Sequence, residues 1–239
     1  MSETQSVSDH MQSLIDLWKS SGDRRAIFLS CYAMMTANML DAIASSEFED
    51  NQWVSTLLQR FAGYYFNALT AYDQEPTNAP AVWQIAFNAS RLPRTHVLQN
   101  LGLGVNAHIN YDLVFALSDM LAQEWPDLTP DQRKSRYRDH CHVNDVIAQT
   151  IDAVQDQVVE RDDPALAVAD KLMGPLDEWF TARLITDWRE KVWENATHLI
   201  QTQVESDRQL ILQEVEQRSL ERARSILGEL GVAGLIDLL

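Results

Sequence analysis

Four polar residues at alternate positions, Asn106, His108, Asn110 and Asp112, stand in a segment whose neighbours are apolar, among them Leu101, Leu103, Val105, Leu113 and Val114. His108 and Asp112 are four apart, which sets an imidazole and a carboxylate one helical turn from each other on one face. Two chemistries fit that spacing. The carboxylate can fix the tautomer of the imidazole, leaving its other nitrogen to exchange a proton with a substrate. Alternatively, both side chains can converge on a divalent metal, which needs a third ligand from His142, Asp145, Asn110 or the face carrying Tyr32. A third reading needs no ligand: buried polar groups satisfy one another and specify the fold.

The element that positions these residues is a helix over about 95–124. On helical spacing Leu101, Val105, His108, Asp112 and Phe115 share one face, and Val114, Leu117 and Leu121 form a second apolar stripe. Further helices are expected at about 8–20, 24–46, 50–73, 79–91, 130–160, 165–172, 176–201 and 204–227. Their ends carry helix-stop chemistry, with Asp23 an N-cap candidate for the second helix and Thr129-Pro130 a cap and first-turn pair. With eight Gly and seven Pro in 239 residues, the chain favours helices over strands and turns. It reads as all-α: a single bundle-like domain over 1–203 with the motif helix buried at its centre. Residues 204–239 form a C-terminal helix and apolar tail, docked on that domain or forming a homodimer seam. The tail's narrow stripe is Val204, Ile211, Val215, Ala223 and Ile226.

Nineteen basic against thirty-five acidic residues give a formal charge of −16, which repels nucleic acid and anionic lipid. The first residues lack a basic start followed by an apolar core, and no run of eighteen apolar residues occurs, so a cytoplasmic protein without a membrane partner is expected. The two cysteines, Cys31 and Cys141, are read as free. No phosphate loop, dinucleotide fingerprint, serine elbow or paired cysteine motif is present.

From Ala79 to about Ile200 the chain resembles an uncharacterised bacterial family, a domain of unknown function marked by an Asn-Ala-His-Ile-Asn-x-Asp-Leu phrase. The phrase itself runs from Asn106 to Leu113. Ahead of it, Pro80 to Phe87 and Gln99 to Gly104 are similar to the family's lead-in. Behind it, Asp139 to Ile147 resembles an Asp-Phe-x-x-Ile-Asn segment with Asn144 at the asparagine, although His140 stands where the family has an aromatic. Arg189 to Trp193 resembles an Ala-Arg-x-x-Ala-Trp phrase. The resemblance implies an all-helical domain with a polar set at His108, Asn110, Asp112, Asn144 and Arg189, and it brings no activity with it.

Joined together, these residues outline an enzyme of hydrolase or lyase type acting on a hydrophobic metabolite with one polar end. His108 would be the acid–base group, Asp112 would fix its tautomer, Asn144 would complete the polar set and Arg189 would hold an anionic substrate group. Tyr32, Tyr65, Trp83 and Trp193 would wall the pocket, and Asn110 would contact the ligand. In the non-catalytic alternative the chain is a helical binding or interaction protein, Asp112 pairs with Arg189, and the network is structural.

Overall fold

The computed structural model describes residues 3–154 and 175–228. Among them there is no strand. The elements are α1 (Glu3–Ser21), α2 (Arg25–Ala44), α3 (Asn51–Gln74), a 3-10 turn (Pro76–Asn78), α4 (Ala81–Ser90), α5 (Val97–Val105), a π-helical segment (Asn106–Asp112), α6 (Leu113–Glu124), α7 (Pro130–Val154), α8 (Pro175–Gln201) and α9 (Glu205–Leu227). The expected helix at 165–172 and the apolar end after 228 lie outside the described residues.

Local chemistry sets the ends of these helices. Gly22 takes a left-handed φ of +71°, closing α1 and turning the chain into α2. Asp23 accepts from the Arg25 backbone N–H at 3.0 Å and also binds the Arg25 guanidinium. Asp50 caps α3 through the Trp53 N–H at 2.9 Å. Two reciprocal capping boxes open α5 and α7. In the first, the Leu98 N–H donates to His96 and the His96 N–H to Gln99. In the second, the Gln132 N–H donates to Thr129 and the Thr129 N–H to Gln132, with Pro130 opening the helix.

Helix α2 runs through the interior, packed by α1, α3, α5 and α7. By length and composition it could cross a membrane, and half of its most apolar window is buried in this fold. Phe28, Leu29, Tyr32, Thr36 and Met39 are all buried along it. Phe28 lies so close to α5 that a Cβ on Gly104 would come within 2.3 Å of its ring, so glycine at 104 is what lets the two helices meet. On the other side of the motif helix, Val114, Leu117 and Leu121 face a second core with Val192, Ala196 and Leu199 of α8. Four of the five residues expected as a stripe on α9, Ile211, Val215, Ala223 and Ile226, are buried within this chain, while Val204 is exposed. The surface read as a dimer seam is therefore packed against the chain's own helices.

Candidate functional site: a caged histidine on a π-helical segment

The motif helix is not a regular α-helix. Between α5 and α6 it widens over Asn106–Asp112, and the Leu113 N–H reaches back five residues to the His108 carbonyl. Such winding is uncommon and recurs at functional sites. Residues two apart on a helix point to nearly opposite sides. The alternating polar residues therefore divide into two pairs, and the two pairs meet different surroundings.

Asn106 and Asn110 face α9. The Asn106 amide donates to the Ser219 carbonyl at 2.9 Å, Asn110 donates to Asn106 Oδ1 at 3.1 Å, and the Ser219 hydroxyl reaches the Asn110 carbonyl at 3.2 Å. These groups tie elements of the fold together. Asn110, expected at the ligand, is part of this packing.

His108 and Asp112 face α2, α3 and α4. His108 Nδ1 and Asp112 Oδ2 are 3.0 Å apart, and the Trp83 indole N–H donates to both oxygens of Asp112 at 3.1 and 3.0 Å. Trp83 was expected to wall a pocket; it is also the residue that orients the carboxylate. Exposures of 3% for His108 and 1% for Asp112 take both out of water. Burial pushes the imidazole well below its ordinary value. It pushes the Asp112 carboxyl well above the usual carboxylate range, against the opposing hydrogen bond from Trp83. One proton sits between Nδ1 and Oδ2, and the far nitrogen, Nε2, takes the complementary role. It accepts when Asp112 is ionised and donates when Asp112 keeps its proton.

Nε2 is buried and has no hydrogen-bond partner among the described residues. Aromatic rings surround it. Phe61 lies flat on the imidazole, with centroids 3.6 Å apart and planes 6° from parallel, and Tyr32 stands edge-on at 4.3 Å. Phe28, Tyr65 and Trp83 complete the cage at about 6 Å. The hydroxyls of Tyr32 and Tyr65 and of Thr36, one turn along α2 from Tyr32, are likewise buried without partners. Burial, reinforced by Asp112, keeps the Tyr32 phenol protonated, so it stands as a donor.

Asn144, Arg189 and Trp193 are elsewhere. Arg189 donates to Asn144 Oδ1 at 2.7 Å and to the His140 carbonyl at 2.7 Å, and its backbone carbonyl accepts from His140 Nε2 at 3.0 Å. Trp193 packs on His140 and Tyr137. The expected ion pair between Asp112 and Arg189 is not formed, and no hydrogen bond or ion pair among the described residues joins this cluster to His108. The reason lies in partner choice: Trp83 and His108 already fill the lone pairs of Asp112, and α7 supplies carbonyl and amide oxygens to Arg189. Burial lowers the Arg189 guanidinium to about 10. His140, whose pKa is pushed down by burial and by Arg189, was missed as a member of this cluster. Its place where the resembled family has an aromatic was the signal.

Among the described residues, His108 and Asp112 have no third side chain with which to hold a metal, and no group of three His, Cys, Asp or Glu side chains converges. His142, one expected third ligand, pairs with Asp145 at 2.9 Å on α7. Both cysteines are free, and burial pushes the Cys31 thiol up to about 12, so it carries no thiolate chemistry.

Two hollows adjoin these clusters. One of about 540 Å³ lies between α7 and α8, lined by Arg138, Asn144, Arg183 and their neighbours. The other, about 20 Å³, is lined by Phe28, Tyr65 and Trp83 of the cage together with Arg24, Arg25 and Asn100. It has room for one water.

Fold and site define an all-helical protein with a sequestered histidine–aspartate pair on a π-helical segment. The chain belongs to a family of unknown function, DUF5995, whose model matches residues 4–229. No curated protein and no solved structure matches it.

Proposed function

We propose that the caged histidine is a metal-free acid–base site, of hydrolase or lyase type, for a small and largely apolar molecule with one polar end. His108 Nε2 moves the proton, Asp112 sets its tautomer, Trp83 holds Asp112, and the Tyr32 hydroxyl is the donor to the ligand. One observation carries this reading. On the same seven-residue segment, the pair facing α9 is bonded into the fold, whereas the pair facing α2 leaves His108 Nε2 buried with no partner among the described residues. A network kept only for stability would close that valence, because each unmade buried hydrogen bond costs about 1–3 kcal/mol. The rings of the cage suit an apolar body. A net charge of −16 argues against nucleic acid as the ligand. Arg189 and Asn144 have no part in this site.

The non-catalytic reading has its own support: His108 is almost fully enclosed by the described residues. Turnover separates the two. Wild type, His108→Gln and Asp112→Asn are assayed on p-nitrophenyl acyl esters for hydrolysis and on short 3-hydroxyacyl thioesters for elimination of water. Activity present in wild type and lost in both variants supports the site. Activity in wild type that both variants retain, or none in wild type on either class, favours the binding or interaction protein.

A further inference from the structure

Helix α9 lies along the motif helix and grips it at several levels. At one end, the Gln99 side chain donates to the last carbonyls of α9, at Ile226 and Leu227, at 3.1 and 3.2 Å. Next, Ile226 packs on Gly102, where a Cβ would meet it at 3.5 Å. Further along, Asn106 and Asn110 meet Ser219 as described above, and Ala223 and Ser219 are completely enclosed. Beyond that, Val215 and Ile211 enter the same core as Leu113 and Leu117.

A π-helical segment behaves as an α-helix holding one extra residue, and α winding has the better hydrogen-bond geometry. Were Asn106–Asp112 to relax to α winding, one flank would turn by about 100° relative to the other. Both flanks are pinned: α5 by Phe28 over Gly104 and by Ile226 over Gly102, and α6 by Val114, Leu117 and Leu121 in the core. Between those pins, polar contacts fix the wide turn on the α9 side. The Ser219 hydroxyl lies within reach of both the Val215 carbonyl, at 2.8 Å, and the Asn110 carbonyl, at 3.2 Å, so it bridges α9 to the segment.

We propose that α9 is a clamp that keeps Asn106–Asp112 wound wide, with Ser219 and Asn106 as positioning residues for His108 and Asp112. The inference rests on the reading of His108 as the working group, but its test does not use activity. Helix α9 is then part of the site, and whatever loosens it moves the histidine without touching it.

The experiment uses full-length Ser219→Ala and Ser219→Thr, with two readouts: amide hydrogen exchange across 106–113, and the ¹⁵N shifts of the His108 ring. In Ser219→Ala the Leu113 amide, bonded to His108, should lose about tenfold in protection, the scale of one hydrogen bond. Both His108 nitrogens should shift, while amides of α1 stay as they are. Ser219→Thr, which keeps the hydroxyl but must fit one methyl more into an enclosed place, should retain more of the protection at Leu113 than Ser219→Ala does. If Ser219→Ala does not fold, Gln99→Glu, which keeps the oxygen that caps α5 and loses the donor to the end of α9, should give the same pattern. A lower melting temperature with unchanged His108 shifts and unchanged protection at 106–113 would overturn the clamp. An assay failure on the acid–base site would leave these readouts untouched.

Discussion

Phe61 lies plane to plane on His108, and of the two rings only Phe61 is partly exposed, so it separates the imidazole from solvent. Phe61→Ala should uncover that face. The His108 pKa should then rise toward about 6.5 as water replaces the ring, since burial is what depresses it. Diethyl pyrocarbonate should modify His108 in the variant and spare it in wild type. The loss in stability should be about 2–3 kcal/mol, below a fully buried phenylalanine because this ring is only partly buried.

Gly104→Ala is expected to be among the most damaging small changes. Its methyl would stand 2.3 Å from the Phe28 ring, whose backbone sits on an interior helix with little room to move. Overpacking of this kind costs about 1–3 kcal/mol or more. Displacement of Phe28 should also disturb Tyr65 and Trp83, its neighbours in the cage. Denaturant unfolding together with near-ultraviolet circular dichroism measures both effects.

Asp112→Asn should keep the fold and lose the chemistry. The amide oxygen can still accept from Trp83, but its NH₂ then faces His108 Nδ1 and locks the imidazole with its proton on Nε2. If the site is catalytic, rates should fall by about 10²–10⁴, the scale of a general acid–base contribution. Trp83→Phe should instead lower stability by about 1–3 kcal/mol, because it leaves the buried oxygens of Asp112 without this donor.

Acid should destabilise the protein through its buried histidines. His108 and His140 both have native pKa values well below 6.5. Below about pH 6.5 the unfolded chain takes up protons at these positions and the native one does not, so stability falls as the pH drops. Each histidine contributes a slope of up to about 1.4 kcal/mol per pH unit. Asp112 works in the opposite sense. Its native pKa is raised, so its burial costs most when the pH is high and the cost is relieved as the carboxyl takes its proton. His140→Gln should flatten the acid limb by one proton's worth, read from denaturant midpoints at a series of pH values.

Much of the fold could be read from the chain because it depends on short-range signals. Pro130 after Thr129, Gly22 with Asp23, and the apolar stripe of α9 each act within a turn or two. The segment Asn106–Asp112 was legible as a buried polar stretch, and Tyr32, Tyr65 and Trp83 do meet at His108. Its π winding was not legible, because it arises from distant contacts: Phe28 on Gly104 and Ser219 on Asn106 and Asn110. Partner choice was hidden for the same reason. A buried carboxylate invites an arginine, and nothing in spacing alone shows that the Trp83 indole reaches Asp112 first while Arg189 turns to Asn144 and His140.

The most direct measurement is a long-range ¹H–¹⁵N correlation spectrum of His108 followed from pH 8 down to pH 5, in wild type and in Tyr32→Phe. The expected result is an uncharged ring throughout, with Nδ1 shifted by its bond to Asp112 and Nε2 carrying the shift of a nitrogen without a protein partner. A ring that charges with a midpoint near 6.5, or an Nε2 bonded to another group of the protein, would contradict the caged acid–base site.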